Sequence, residues 1–358
     1  MIPNYKSVHN QFKLNGQHYN FNTLKELANG FVNEDEAYKN EIGLFLLEWL
    51  DDSDAVTVKT SGSTGKPKSI ALRKQAMVNS AIATGDFFCL KPGDTAILCL
   101  PISYIAGKMM LVRAMILGLD LDVISPNSNP LQFVTKYYDF AAMVPMQLSN
   151  SIDKLNSLGI LIIGGAKVSE NIIDKFQNCS TQIYETYGMT ETITHIAVKK
   201  LNNHSSVISS AIERTYFKTL PNIAISQDDR DCLVIQAPKL SHDKIVTNDV
   251  VKLHSVSEFE WLGRYDNVIN SGGLKLFPEQ IEQKLASQIN QRFIIGSEPD
   301  LVLGDRLILV LEGNNLIDLQ KLTKLSKLEL PKKTYTIPKF IETSSGKVQR
   351  QKTLALLK

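Results

Sequence analysis

The sequence contains little cysteine and no close pair of cysteines. Its 358 residues include four, namely Cys89, Cys99, Cys179 and Cys232, and no CxxC motif occurs. Four scattered cysteines are too few for the disulfide framework of a secreted protein, and they lack the spacing of a zinc site. A reducing compartment is therefore the simplest location, and we expect a cytoplasmic protein.

Long uninterrupted hydrophobic runs are also absent. The most apolar stretch, residues 99–124, is interrupted by Lys108, Arg113, Asp120 and Asp122, whereas a spanning helix needs about 18 apolar residues. The first 16 residues show no basic segment followed by an apolar one, which argues against a secretory signal. We therefore expect no stable membrane association.

Neither sign of charge predominates. Lys and Arg total 39 and Asp and Glu total 37, a net charge of +2, which argues against a general nucleic-acid binder. Residues 321–358 carry a local net charge of +8, which leaves −6 for the rest. Such a basic tail is more often a solvated face than a polyanion site, although it also suits a phosphate-rich ligand.

The composition is that of an ordinary globular protein, with 43% hydrophobic residues, 20 Gly and 13 Pro. The length favours one large domain and a smaller one. Short apolar segments alternate with helical patterns over the first two-thirds, which is typical of an α/β fold. We predict strands at 55–58, 96–100, 141–144 and 160–163, with helices near 74–84, 169–177 and 278–287.

The segment after the first predicted strand is rich in glycine, hydroxyls and lysine. It reads Thr60, Ser61, Gly62, Ser63, Thr64, Gly65, Lys66, Pro67 and Lys68. Glycines let the backbone present amide N–H groups, hydroxyls add donors and ammonium groups offset the charge of a polyanion. The spacing differs from a Walker A loop. It predicts a phosphate-binding loop, and the alternative is a flexible turn.

This loop resembles the phosphate loop of the adenylate-forming superfamily, which includes acyl-CoA synthetases, peptide-synthetase adenylation domains and luciferases. A second motif, residues 184–192, is similar to that superfamily's core motif. The resemblance implies that Tyr187, beside Gly188, stacks on adenine, that Thr190 contacts phosphate, and that Glu191 binds Mg²⁺. A carboxylate is a ligand that Mg²⁺ prefers, and an aromatic ring offers a stacking face.

Two weaker motifs follow the same order. Gly164, Gly165 and Ala166 resemble the loop on the adenine side of the site. Asp249 resembles the aspartate that accepts hydrogen bonds from the ribose hydroxyls, with Arg264 as its expected partner. Taken alone, an aspartate in this context is more often a turn residue.

The last third of the sequence resembles the superfamily's C-terminal lid. Asp266 matches the hinge, and Gly272 and Gly273 match a loop past which pantetheine slides. Residues 343–350 resemble the catalytic-lysine motif. Lys347 would bridge two anions, the carboxylate and the α-phosphate, and offset charge in the transition state.

The resemblance implies a large multi-layer α/β domain over residues 1–265 and a small, mobile α+β domain over residues 266–358. Because only 59 residues precede the phosphate loop, we expect a shortened N-terminal section. The implied substrates and cofactors are ATP, Mg²⁺, coenzyme A and a small carboxylic acid, with no nucleic acid. A homodimer is left open.

The acid itself is less well indicated. Residues 187–195 and 265–273 resemble family members that act on an aromatic acid with two carboxylates, so a cation is needed for the carboxylate that does not react. Lys108 and Arg113 are candidates, each with the alternative of a snorkelling cation on a helix. Tyr104, where many relatives have His, and His195 complete the candidate acid site. Other open readings are another aromatic or short-chain acyl-CoA synthetase, an enzyme that loads a carrier protein, and a non-catalytic nucleotide-binding regulator.

Overall fold

The computed structural model describes residues 3–60, 68–202, 216–343 and 348–357, with the backbone alone at residues 59, 60 and 68. These residues form a large mixed sheet, a smaller sheet and a two-stranded ribbon, with helices packed against the sheets. The predicted α/β class is confirmed.

The large sheet has a parallel part and an antiparallel part. In spatial order its strands are β12 (Ala224–Gln227), β13 (Cys232–Gln236), β14 (Ile245–Leu253), β15 (Glu258–Arg264), β11 (Phe217–Thr219), β10 (His195–Lys200), β9 (Gln182–Gly188), β8 (Leu158–Ile163), β7 (Tyr138–Met143), β5 (Thr95–Leu98), β6 (Asp120–Val123), β1 (Lys13–Leu14) and β2 (Gln17–His18). Strands β1 and β5 to β9 run parallel, and neighbouring strands among β9 to β15 are antiparallel. The strand order reverses at β5, which has β6 on one side and β7 on the other. In open α/β sheets a ligand crevice forms at such a point.

Both faces of the parallel part are buried. In β5, Ala96 and Leu98 belong to one core cluster and Ile97 to another. In β7, Phe140 belongs to the first of these clusters and Ala141 to the second. Since successive side chains of a strand point to opposite faces, apolar layers cover the sheet on both sides.

Helices of the first 200 residues supply much of these layers. They are α1 (Phe21–Val32), α2 (Ala37–Trp49), α3 (Lys74–Phe88), α4 (Ile105–Leu117), α5 (Pro145–Asn150) and α6 (Glu170–Ile173). Asn20 caps α1, because its side chain accepts hydrogen bonds from the backbone N–H groups of Asn22 and Thr23. Helix α4 ends at Gly118, whose φ of +77° is a left-handed conformation that favours glycine. In the described residues, no helix is both long enough and apolar enough to cross a bilayer.

The ribbon pairs β3 (Ala55–Thr60) with β4 (Lys68–Arg73) in antiparallel register, from Ala55 opposite Arg73 to Thr60 opposite Lys68. Thr60 and Lys68 therefore end the two strands that flank the predicted phosphate loop. The predicted residues Ser61, Gly62, Ser63, Thr64, Gly65 and Lys66 lie outside the described residues.

The smaller sheet is made entirely from the last third of the chain. Its strands are β16 (Ile269–Ser271), β17 (Leu274–Leu276), β18 (Phe293–Asp300), β19 (Gly304–Glu312) and β20 (Lys333–Ile337), and its helices are α7 (Pro278–Leu285) and α8 (Arg350–Leu354). Asp266 lies in the short 3-10 turn Tyr265–Asn267, between the last strand of the large sheet and β16. The domain boundary at this residue stays a prediction, and we refer to residues 1–265 as the body and to residues 266–358 as the lid.

Candidate functional site

A cleft of about 2100 Å³ opens at the carboxyl ends of the parallel strands. Leu100 and Pro101 line it just after β5, Val144 after β7, and Gly164 after β8. The lid forms the opposite wall through side chains of Asn267, Glu279, Gln280, Gln283, Lys284 and Arg350. The crevice expected at the reversal of strand order is therefore present, and it lies between body and lid.

The loop after β8 presents bare backbone to the cleft. Gly164, Gly165 and Ala166 line it, and Gly165 has a φ of +86°, which a residue with a Cβ rarely adopts. A Cβ on Gly164 would lie 2.9 Å from the Thr186 hydroxyl oxygen. A flat ligand can approach this backbone closely.

Tyr187, at the end of β9, combines a packed ring with a polar contact. Its ring lies 5.2 Å from that of Phe259 and 5.8 Å from that of Phe217, centroid to centroid. Its hydroxyl donates a 2.7 Å hydrogen bond to Oδ2 of Asp249. Burial and the Asp249 carboxylate raise the pKa of Tyr187, so the phenol stays a donor. Half-buried, it still lines the cleft.

Asp249 is held by partners on two strands. Trp261 donates its indole N–H to Oδ1 over 3.2 Å, and the Arg264 guanidinium lies 3.7 Å from the same oxygen. Asp249 and Arg264 are direct register partners on β14 and β15. A carboxylate oxygen can accept more than one hydrogen bond, so Asp249 retains acceptor capacity towards the cleft that it lines. Arg264 also contacts Asp266 at 3.4 Å.

Gly188 and the turn Thr190–Thr192 follow Tyr187 at the cleft. A Cβ on Gly188 would lie 2.3 Å from the Thr194 carbonyl oxygen, so no larger residue fits there. Thr190 is half-buried and Glu191 is exposed, and both line the cleft. The described residues contain no group of three or more His, Cys, Asp or Glu that could hold a metal.

Arg113 on α4 is a buried cation at the cleft. It is 1% exposed, and no described carboxylate lies within ion-pair distance of it. Its Nε has no partner, and one terminal nitrogen lies 3.8 Å from the sulfur of Met110. Burial lowers the pKa of Arg113 to about 9. An anion in the cleft would therefore find a guanidinium with free donors.

His195 lies beside Arg113 at the start of β10. Nδ1 of His195 is 3.5 Å from a terminal nitrogen of Arg113, and Nε2 is 3.3 Å from the hydroxyl of Thr84. Burial and the charge of Arg113 lower the pKa of His195 well below its ordinary value, so the imidazole is neutral. Both residues line the cleft.

Tyr104 lines the cleft, whereas Lys108 does not. Lys108 lies over the ring of Phe45 at 4.2 Å, with Glu48 of α2 at 3.9 Å, and it is not among the described residues that line the cleft. Tyr104 precedes α4, lines the cleft and is 52% exposed. Of the two candidate cations on α4, the fold therefore brings Arg113 to the cleft.

The described residues of the two motifs predicted on the lid differ in their position relative to the cleft. Val348 and Arg350 line the cleft, and Val348 pairs with Glu342 in an isolated β-bridge. Lys347, which immediately precedes Val348 in the sequence, is outside the described residues. Gly272 and Gly273 form the turn between β16 and β17 and are not among the described residues that line the cleft.

Several cleft residues escape prediction from the sequence. Glu185 and Lys199, paired across β9 and β10, form a buried ion pair of 2.5 Å. Lys167, just after the Gly164–Ala166 loop, donates a hydrogen bond to Gln283 of α7. Desolvation of its ammonium group and the nearby Lys199 lower the pKa of Lys167, although the residue as a whole is exposed. Only the position of Lys167 after two glycines could have drawn attention to it.

Comparison with protein families gives a match over residues 25–223 to the family described as AMP-binding enzyme. A curated relative, the 2-succinylbenzoate–CoA ligase of Lactococcus lactis subsp. lactis (strain IL1403), is 24% identical over 327 residues. These cover 84% of this chain and 71% of the relative.

Two solved structures are similar over most of the chain. An acyl-CoA synthetase (AMP-forming)/AMP-acid ligase II-like protein from Dyadobacter fermentans is 35% identical, with a TM-score of 0.62 and coverage of 93% of this chain and 98% of its own. The O-succinylbenzoate coenzyme A synthetase of Bacillus subtilis, in complex with ATP and magnesium ion, is 19% identical, with a TM-score of 0.72 and coverage of 86% and 74%. The matches confirm the resemblance that the motifs predict.

Proposed function

This chain belongs to the family of AMP-binding enzymes, and from that premise we propose that it is an o-succinylbenzoate–CoA ligase of menaquinone biosynthesis, acting in the cytoplasm. The family makes it an AMP-forming acid–thiol ligase. The choice of acid rests on one observation, the buried guanidinium of Arg113 at the cleft without a described carboxylate partner.

The proposed substrate has two carboxylates, of which only the succinyl one is activated. The ring carboxylate needs a cation or several donors wherever it is held. Leaving a buried charge unpaired is costly, so a bound carboxylate beside Arg113 would offset the desolvation of both groups. A planar guanidinium also matches the geometry of a carboxylate. Lys108, turned towards Glu48, has no comparable access to the cleft.

The nucleotide end of the cleft is assigned to ATP. The bare backbone of Gly164–Ala166 and the ring of Tyr187 would hold adenine, and Asp249 would accept from the ribose hydroxyls. The hydroxyl of Thr190 would donate to phosphate. The residues of the 60–68 segment, with Thr60 and Lys68 at its ends, would bind the remaining phosphates.

A magnesium ion would fit beside Glu191. This carboxylate is exposed at the cleft, and the described residues offer no cluster of three acidic, His or Cys ligands. The ion would therefore take most of its ligands from phosphate oxygens and water, as Mg²⁺ does when bound with nucleotides. When bound, it would offset phosphate charge.

The proposed reaction has two steps. First, an oxygen of the succinyl carboxylate attacks the α-phosphorus of ATP, the bond to the β-phosphate oxygen breaks, and pyrophosphate leaves. Lys347 would hold the two anions together and offset their charge. Second, the thiolate of coenzyme A attacks the acyl carbon of the acyl-adenylate, and AMP leaves. Gly272 and Gly273 would serve this second step after rotation of the lid at Asp266.

ATP–pyrophosphate exchange across a panel of acids tests the proposal. Exchange that depends on o-succinylbenzoate supports it, whereas exchange with a different aromatic or short-chain acid replaces the substrate. No exchange with any acid would support a nucleotide-binding regulator. Adding coenzyme A or a carrier protein to the active mixture then identifies the thiol acceptor.

A further inference from the structure

We propose that His195 is a positioning residue that holds the guanidinium of Arg113 towards the acid end of the cleft. The inference rests on the proposed function and deepens it, because it names what orients the residue that selects the second carboxylate. His195 itself need not touch the acid.

The direction of each hydrogen bond follows from the chemistry of the groups. A guanidinium has donors and no acceptor. Nδ1 of His195, 3.5 Å from the Arg113 terminal nitrogen, must therefore be an acceptor without a proton. The proton of the neutral imidazole then lies on Nε2 and is donated to the Thr84 hydroxyl over 3.3 Å. That hydroxyl donates onward to the backbone carbonyl of Ser80 at 3.0 Å.

All links of this relay run in one direction, from Arg113 on α4 through β10 to the backbone of α3. A protonated imidazole would break it, because it has no acceptor to offer Arg113. Burial keeps the ring neutral, since His195 is 4% exposed. The hydroxyl of Thr194 also lies 3.5 Å from Nδ1 and can donate to the same nitrogen.

The backbone around His195 is closely packed. A Cβ on Gly188 would lie 2.5 Å from the Cα of His195, so the glycine after Tyr187 permits this close packing. The β9–β10 register shifts between His195 and Ala197. Arg113 has few other fixed contacts, because its Nε is unpartnered and its Met110 contact is long. Among the described residues, His195 is thus the polar group that can fix the orientation of the guanidinium.

Steady-state kinetics with two acids test the role. One is o-succinylbenzoate and the other is 4-oxo-4-phenylbutanoate, which lacks the ring carboxylate. We expect His195→Leu to raise KM for the first about 10-fold, with kcat changed less than about threefold and KM for the second unchanged. His195→Asn, whose side-chain oxygen can replace Nδ1, should restore most of the loss. Equal changes for both acids, or none, would overturn the inference.

A second measurement does not depend on the substrate. Nitrogen-15 NMR of the wild-type enzyme labelled in histidine reports which ring nitrogen carries the proton. We expect His195 to be protonated at Nε2, and Thr84→Val should change the Nε2 chemical shift without moving the proton, because Arg113 still requires an acceptor at Nδ1. A proton on Nδ1 would overturn the inference whatever acid the enzyme uses. If the wild-type enzyme shows no ATP–pyrophosphate exchange that depends on o-succinylbenzoate, the proposed function is instead rejected.

Discussion

Tyr187 and Asp249 stand 62 residues apart in the chain, yet the phenol of the first donates a 2.7 Å hydrogen bond to the carboxylate of the second. The bond joins the residue assigned to adenine with the residue assigned to ribose. It therefore couples two parts of the proposed nucleotide site.

Removing this hydroxyl should weaken ATP binding. Tyr187→Phe keeps the ring but leaves a buried acceptor with one donor fewer, at a cost of about 1 kcal/mol. We expect a rise of about fivefold in KM for ATP, with KM for the acid unchanged. Tyr184→Phe is a matched control, because that hydroxyl donates to Gln182 on the same strand. Equal effects of the two variants would contradict the assignment.

Substitutions of Arg113 and of Lys108 should have very different effects on KM for o-succinylbenzoate. Arg113→Gln should raise KM for o-succinylbenzoate at least 10-fold, because a bidentate charged partner is lost. Lys108→Gln removes only a long contact to Glu48 and a position over the Phe45 ring, so KM should stay within about twofold. Acid titrations of both variants at saturating ATP give the comparison. A larger rise for the Lys108 variant would exchange the two roles.

Lys347 should matter for one half-reaction. Lys347→Ala should abolish acyl-adenylate formation, measured as pyrophosphate exchange, and largely spare thioester formation from synthetic acyl-adenylate. Lys352→Ala on α8 is a suitable control, since Lys352 is exposed and belongs to the same basic tail. Equal loss of both half-reactions would reject the assigned role.

Gln283 is one of the side chains that join the body and the lid. This α7 side chain accepts from Lys167 and donates to Glu170 over 2.6 Å. Gln283→Ala should destabilise the lid orientation in which Val348 and Arg350 line the cleft, and so slow pyrophosphate exchange severalfold more than thioester formation. Gln288→Ala removes contacts to Thr323 within the lid and should leave the ratio of the two rates unchanged. A shift of that ratio in the control would contradict this reading.

The depressed pKa of His195 predicts a loss of stability in acid. The unfolded chain binds a proton at this histidine below about pH 6.5, whereas the folded chain does not. As the pH is lowered below that point, the free energy of unfolding should therefore decrease. This group contributes about 1.4 kcal/mol per pH unit to the decrease. Urea denaturation at pH 7.5 and 5.5 should show a smaller fall in His195→Asn. An identical fall in both proteins would show that His195 titrates normally.

Much of the proposed nucleotide site could be predicted from the sequence, because its residues lie in short motifs at strand ends. The predicted strands 55–58, 96–100, 141–144 and 160–163 correspond to β3, β5, β7 and β8. The helix predicted at 169–177 is split into α6 and a 3-10 turn, Asp174–Phe176. Strand β4, which completes the ribbon, gives no signal of its own, because its pairing depends on a partner across the loop.

The acid site could not be predicted in the same way. Lys108 and Arg113 are five residues apart on α4, and five steps of about 100° place them on different faces of the helix. Ten of the 13 residues of α4 are buried, so no polar face indicates which side meets the cleft. The relation of Arg113 to His195 needs the packing of α4 against β10, which the sequence does not encode locally.

The hydrogen-bonded surroundings of Asp249 carry one more consequence. Tyr187, Trp261 and Arg264 all precede Asp266 in the chain, so a rotation of the lid at that residue would break none of their contacts with Asp249. An adenylate formed in the first step would remain tethered by its ribose while the second set of lid residues arrives. A reactive mixed anhydride would thus pass from one reaction to the next without release into water, where hydrolysis would waste the ATP.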